Sequence, residues 1–278
     1  RVGIAVRNLN DEFELLNGNQ TGALIVYYML KRLQETNTLP DNGYVVKTIV
    51  TTDMIDAICE SFNADCFNTL TGFKYIATII RELEGKRKYI VGGEESYGYL
   101  IGDFVRDKDA VASCAVIAEM TAYAKDNGMS LYEMLIDMYK QFGMYQEDLL
   151  SITKKGKSGS EEIAKMMSEF RTNPPKVING SKVVQLFDYQ SSTVKNLIEN
   201  SSEKIDFPDL INSINLYISF VFPFTCCIAS KYISKWLFGS PNSLMSLSSP
   251  WTISLINLDK VAFFEGNQGV WTVVNFNW

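Results

Sequence analysis

Tyr89-Ile90-Val91-Gly92-Gly93-Glu94-Glu95-Ser96-Tyr97-Gly98 is the stretch that decides the fold class of this 278-residue chain. An apolar run that ends in glycines, and then in two carboxylates and a hydroxyl, reads as a buried strand. It delivers polar groups to the carboxyl edge of an α/β sheet. The glycines let the backbone come close to a ligand. Glu94 and Ser96, two residues apart in an extended segment, point the same way and are placed to hold adjacent ligand hydroxyls by charge-assisted hydrogen bonds. On spacing alone the same residues also fit a solvated connection between a strand and a helix.

Working outward, Ala64 to Leu70 is an upstream strand ending at Thr71-Gly72-Phe73-Lys74, which starts a helix through about Leu83. That puts the Thr71 hydroxyl and the local amides at a helix N-terminus, a position that favours oxygen-rich or anionic ligands, although a threonine there also serves as a plain cap. Tyr44 to Thr51 is apolar and β-branched, as in a strand buried on both faces of a parallel sheet. Thr52 or Asp53 then caps a helix carrying Met54, Ile55 and Ile58. Asn17 opens a helix through about Glu35, preceded by short strands at Val2 to Val6 and Glu12 to Leu16. Downstream, Arg106-Asp107-Lys108-Asp109 is a charge run at the mouth of a helix from Asp109 to Asp126. Ser130 caps a further helix whose stripe of Leu131, Met134, Leu135, Met138 and Phe142 is core. Strands and helices that alternate with short connections give an α/β fold, a mostly parallel sheet with helices on both faces.

A boundary falls near Gly143. Beyond it Glu147 to Thr153 reads as a strand, Lys154 to Gly159 as a basic loop, Ser160 to Arg171 as a helix stopped before Pro174-Pro175, and Ser181 to Tyr189 as a strand.

Gly93-Glu94-Glu95-Ser96-Tyr97-Gly98, with Thr71-Gly72-Phe73-Lys74 upstream and Arg106-Asp107-Lys108-Asp109 downstream, resembles the third domain of the α-D-phosphohexomutases, the phosphoglucomutase and phosphomannomutase family. The resemblance covers about residues 1–206. It implies the end of the second mutase domain at 1–17, the third, sugar-recognising domain at 18–143 and a partial α+β fourth domain at 144–206. It also implies an intramolecular phosphotransferase that interconverts hexose 1-phosphate and hexose 6-phosphate of glucose or mannose. The reaction runs through glucose or mannose 1,6-bisphosphate. By the same resemblance Glu94 and Ser96 grip ring hydroxyls, Thr71 and Gly72 line the pocket, Lys108 offsets phosphate charge, and Arg1, counted with the substrate-binding residues, matches the arginine of the family's Mg²⁺-binding loop. The three aspartates of that loop, the phosphoserine loop and the Arg-x-Ser-Gly-Thr loop that cradles phosphate do not occur in these residues. The chain by itself is therefore expected to be inactive and to need the N-terminal domains of the same enzyme as partners. A non-catalytic sugar-phosphate binding module is the alternative.

The composition limits the alternatives. With no histidine, Ser-His-Asp or Cys-His catalysis and histidine-ligated metals are excluded. A net charge of −6 without a basic stripe argues against a nucleic-acid partner. Five cysteines without metal or redox spacing fit a reducing cytoplasm. No Gly-rich dinucleotide or P-loop pattern follows any strand.

From Phe207 onward the chain changes character: 6 charged residues fall among the last 72 against 52 among the first 206, and all four tryptophans lie there. This unassigned apolar tail, 207–278, is read as a departure from family sequence by frameshift, gene-model error or fusion. Leu210 to Ala229 is about as long as a membrane span, but Asn212, Ser213, Asn215 and Pro223 dilute it, so a membrane role is disfavoured.

Overall fold

The computed structural model describes residues 1–145, 147–149, 155–178 and 181–204, together with strands at 216–223, 260–265 and 275–277. The chain divides into two units, Arg1–Tyr145 and Gln146–Trp278.

The first unit begins with an antiparallel pair, β1 (Ile4–Arg7) and β2 (Phe13–Leu16). The helix α1 (Gly18–Glu35) follows at once. Asn17 and Gln20 close a reciprocal capping box at its start, which satisfies two of the orphan amides of the first turn. Then come β3 (Gly43–Thr48), α2 (Met54–Ser61), β4 (Asp65–Thr69), α3 (Phe73–Leu83), β5 (Lys88–Glu94), β6 (Gly98–Ile101), α4 (Ala110–Asp126) and α5 (Leu131–Phe142). The central sheet runs β4-β3-β5-β6, parallel except for β6, which folds back antiparallel on β5. The fold class expected from the sequence is the one observed.

Period-2 alternation divides the sheet residues between two cores. Val45, Val91, Tyr99 and Ile101 face a large cluster built on α1, with α2, α4 and α5 around it. Tyr44, Val46, Tyr89 and Leu100 face Phe73, Ile76 and Ile80 of α3. Helices therefore cover both faces, as a parallel sheet requires. The methionine stripe on α5 is core: Met134 and Met138 are buried.

The structure departs from the expected elements in two places and decides between two expected caps in a third. Ile49 and Val50 belong to the turn after β3, because the strand ends at Thr48. β6 was not foreseen. Gly98-Tyr99-Leu100-Ile101 is too short and too uniformly apolar to show a period, yet all four residues are buried. Among the caps, Asp53 makes no side-chain cap bond. The Thr52 hydroxyl instead accepts the Met54 amide at 3.2 Å, and the Asp53 carboxylate lies 3.3 Å from Lys47 Nζ.

In the second unit the described elements are β7 (Glu147–Leu149), α6 (Gly156–Thr172), β8 (Val177–Ile178), β9 (Ser181–Lys182), β10 (Gln185–Asp188), β11 (Thr193–Asn196), β12 (Ser201–Lys204), β13 (Leu216–Pro223), β14 (Lys260–Glu265) and β15 (Asn275–Asn277). β12, β11, β10, β13, β14 and β7 form one sheet in that order, with β15 beside β13. Arg171 on α6 holds the buried Asp188 at 3.0 Å. The basic loop expected to Gly159 is helical from Gly156, with Lys155 as N-cap. The strand expected from Ser181 to Tyr189 is split, since Ser181–Lys182 turns back on Val177–Ile178. The strand expected to Thr153 and the tail beyond Lys204 lie outside the described residues, apart from β7 and the strands named above. Among the described residues no helix is long and apolar enough to cross a membrane.

Candidate functional site

The β5–β6 hairpin carries the motif. Glu94 pairs with Gly98, so Glu95, Ser96 and Tyr97 form its tip, and Tyr97 sits in the left-handed region at φ 68°. The expected extended course from Glu94 to Ser96 is thus replaced by a tight turn. The cause is Gly98-Tyr99-Leu100, which returns along β5 and closes the turn after three residues.

Several parts of the unit hold this tip. The Val2 amide donates to the Tyr97 carbonyl at 3.0 Å. The Tyr99 hydroxyl donates to the Gly18 carbonyl at 2.7 Å. The start of α1 is seated so closely that a Cβ on Gly18 would lie 1.6 Å from the Glu95 carbonyl oxygen. Only glycine allows that approach.

Glu94 is 4% exposed, and its two carboxylate oxygens face different elements. Oε1 accepts the Gly72 amide at 2.8 Å, and Oε2 lies 3.6 Å from Lys108 Nζ. Glu94 therefore closes the N-terminus of α3 from a distance, where negative charge is favoured. The N-cap residue Gly72 has φ 125°, a left-handed-side conformation that suits glycine. Thr71 does not cap the helix. Its hydroxyl is enclosed and has no hydrogen-bond partner among the described residues, which leaves a donor and an acceptor free at this point.

Lys108 lies across the same place. Its ammonium stands 4.4 Å from the centre of the Phe73 ring and 3.0 Å from Asp107, and its stem packs on Gly98, where a Cβ would meet Lys108 Cδ at 2.3 Å. The Lys108 backbone amide and ammonium hold the Asp107 carboxyl below the usual range. From this cluster an open groove of about 690 Å³ runs along α3, lined by Gly72, Phe73, Lys74, Arg81, Arg106 and Lys108 among others.

The structure therefore brings Glu94, Gly72 and Lys108 into contact and places Thr71 next to Gly72. Ser96 is half-buried at the tip of the same hairpin. Arg1 is exposed and enters beside that tip through the Val2–Tyr97 bond. The sequence reading missed Phe73 as the ring under the lysine and Lys74 and Arg81 as a basic helix edge, although their spacing of seven puts them on one face. It also missed Glu95, whose Oε2 lies within hydrogen-bond reach of the Thr48 and Thr51 hydroxyls, at 3.2 and 3.3 Å. Behind them Lys47, 2% exposed, bonds the Thr51 carbonyl at 3.2 Å and Asp56 at 2.9 Å. Burial alone would lower the Lys47 ammonium, but Asp56 and Asp53 outweigh it and hold it well above the ordinary lysine value. No group of three or more carboxylates, cysteines or histidines is placed to hold a metal ion among the described residues.

Residues 17–142, which contain the sheet, the hairpin and Lys108, match the family model of the phosphoglucomutase/phosphomannomutase alpha/beta/alpha domain III. Residues 17–142 are a phosphohexomutase domain III. Over 208 residues the chain is 36% identical to a phosphoglucomutase of Staphylococcus aureus (strain MRSA252) and 32% identical to one of Staphylococcus haemolyticus. Each match covers 75% of this chain and 37% of the relative, so the chain spans little more than a third of the length of these curated relatives. A solved structure of pp63/parafusin, a phosphoglucomutase from Paramecium, is 18% identical, covering 75% of this chain and 34% of its own at a TM-score of 0.47.

Proposed function

We propose that this chain is the sugar-recognition part of a phosphohexomutase that interconverts hexose 1-phosphate and hexose 6-phosphate of glucose, mannose or both through a hexose 1,6-bisphosphate. The observation that carries this reading is the buried Glu94 carboxylate, held between the Gly72 amide and the Lys108 ammonium at the mouth of a basic groove. A carboxylate fixed in this way has lone pairs left for ligand hydroxyls, and a lysine beside it supplies the positive charge a phosphoryl group needs.

In this reading Glu94 and Ser96 take the ring hydroxyls, Thr71 and Gly72 line the pocket, Lys108 faces the phosphate, and Arg1 flanks the hairpin tip. Residues 1–17 complete a second mutase domain and residues 144–206 begin a fourth. The phosphoserine and the Mg²⁺ ligands come from the N-terminal domains. Those groups transfer the phosphoryl group, while this domain holds the sugar in either of its two orientations. Because the same contacts serve both orientations, they set specificity without entering the chemistry.

The test has two arms. Titration of the chain with glucose 1-phosphate and mannose 1-phosphate, followed by amide NMR, should move the resonances of Gly72, Glu94, Ser96 and Lys108. In the second arm the chain alone should give no hexose-phosphate interconversion, and mixing it with the N-terminal domains of a relative should restore turnover. Interconversion by the chain alone, or amide shifts confined to other residues, would overturn the reading.

A further inference from the structure

The group between the two proposed sugar-gripping residues faces the other way. Glu95 Oε2 lies 3.2 Å from Thr48 Oγ1 and 3.3 Å from Thr51 Oγ1, and the two hydroxyls lie 2.8 Å from each other. Neither hydroxyl has another hydrogen-bond partner among the described residues, so three oxygens form a closed triangle of three contacts.

Counting protons decides the charge of the carboxyl. A hydroxyl brings one proton, so an ionised Glu95 leaves two protons for three contacts. However the two hydroxyls turn, one contact then sets lone pair against lone pair. A protonated Glu95 adds the third proton. The acid donates to one threonine, that threonine to the other, and the second back to Oε2, so every contact is a hydrogen bond.

The surroundings point the same way. Burial pushes the Glu95 carboxyl up and the charge of neighbouring Glu94 adds to this, against a lowering pull from its own amide and the two threonines. The charged groups near the triangle are Glu94 on the hairpin and, behind Thr51, Lys47, Asp53 and Asp56 of β3 and the α2 segment. Lys47 is already matched by two aspartates, so it offers no unpaired charge to Glu95. Tyr99 is the titratable group on β6, and its hydroxyl is pledged to the Gly18 carbonyl. From the start of α1 comes Asn19, which is uncharged and bonds the Thr52 amide at 3.0 Å.

We propose that Glu95 is a positioning residue held as a neutral carboxylic acid, whose closed ring with Thr48 and Thr51 ties the hairpin tip to the end of β3 and so fixes Glu94 and Ser96. The ring also leaves Glu94 as the charged carboxylate that the hairpin presents to Lys108, whose ammonium it shares with Asp107. What the positioning serves rests on the sugar-binding reading given above. The ring itself does not.

The test uses the intact 278-residue chain. With glutamate labelled at the carboxyl carbon and Glu95 assigned through its backbone, its carboxyl chemical shift is followed against pH, with no ligand and no substitution. A midpoint above the ordinary glutamate value of about 4.3 supports the ring. A midpoint at or below it overturns the ring.

Glucose 1-phosphate affinity of Glu95→Gln and Glu95→Ala then tests the positioning. A glutamine amide donates to both threonines while one threonine still donates to the other, so all three contacts survive. Glu95→Gln should therefore stay within about threefold of the unsubstituted chain, and Glu95→Ala should bind at least tenfold more weakly. Equal loss in both variants would overturn the neutral-acid assignment, because it would show that the charge is what matters. If the unsubstituted chain binds no sugar phosphate, the functional reading fails, and the carboxyl titration still decides the ring.

Discussion

Substituting Gly98 by alanine separates the site from the scaffold. A Cβ at 98 would lie 2.3 Å from Lys108 Cδ and 2.8 Å from Cγ, and the three closest atoms all belong to that one side chain. Gly98 is not among the positive-φ residues, so alanine strains no backbone there. The lysine stem must swing out by about 1 Å or more to reach ordinary van der Waals distance, which takes its ammonium off Glu94 and off the Phe73 ring. At 3.6 Å the Lys108–Glu94 pair has a gross Coulomb attraction of about 5 kcal/mol at an effective dielectric near 20. Desolvation cancels most of that, and the cation–π contact adds about 1 kcal/mol. Moved away, the ammonium also no longer meets a phosphate in the groove, a loss of about 1–2 kcal/mol or roughly five- to thirty-fold in affinity for a sugar phosphate. The broken Lys108–Glu94 and Lys108–Phe73 contacts lie within the chain, so global stability should fall by about 1–2 kcal/mol. Amide NMR titration with glucose 1-phosphate reads the first quantity and urea unfolding the second. Unchanged affinity, or a stability loss above about 3 kcal/mol, would refute the claim that Lys108 alone absorbs the clash.

Gly18→Ala should behave in the opposite way, because its Cβ would meet the Glu95 carbonyl, which is backbone, at 1.6 Å; a loss of about 3 kcal/mol or more in urea unfolding is expected. Glu94→Gln removes the charge that holds both Lys108 and the Gly72 amide and should weaken sugar-phosphate binding about tenfold or more by calorimetry. Lys47→Ala leaves Asp53 and Asp56 facing each other, and because these carboxylates are 32% and 37% exposed the cost should be about 2–3 kcal/mol, below that of a fully buried pair. Glu95 carries a raised carboxyl, so its contribution to stability is complete below about pH 4.5 and is lost as pH rises through its folded-state value. Chemical unfolding of Glu95→Gln beside the unsubstituted chain should therefore show the variant gaining in relative stability as pH increases above 4.5.

The elements with long, regular periods were legible in the sequence. α1 and α5 begin at their capping boxes, Asn17/Gln20 and Ser130/Glu133, and their apolar faces point to the core as the spacing requires. The parallel strands could be read because β3 and β5 are buried along nearly their whole length. β6 was not legible, since four apolar residues after a glycine have no period to show. Missing it turned the hairpin tip into an extended loop. In the candidate site, the motifs pointed to Glu94, Gly72 and Lys108, which the fold brings into contact. What the motifs could not show is that Glu94 caps α3 in place of Thr71, a bond between residues 22 apart. Glu95 was hidden for the same reason: its partners Thr48 and Thr51 lie 47 and 44 residues upstream, and the identity of the side chain does not say which way it turns.

The span of these contacts has a kinetic consequence. The hairpin tip is short, yet it is held by Val2, Gly18, Thr48, Thr51, Gly72 and Lys108, and the Tyr99–Gly18 bond alone closes 81 residues of chain. Closing a loop of that size costs entropy before any contact repays it. The Gly-Glu-Glu-Ser turn should thus acquire its final geometry only when α1, β3 and the start of α3 are already in place, so the last part of this unit to form is the part proposed to meet the ligand.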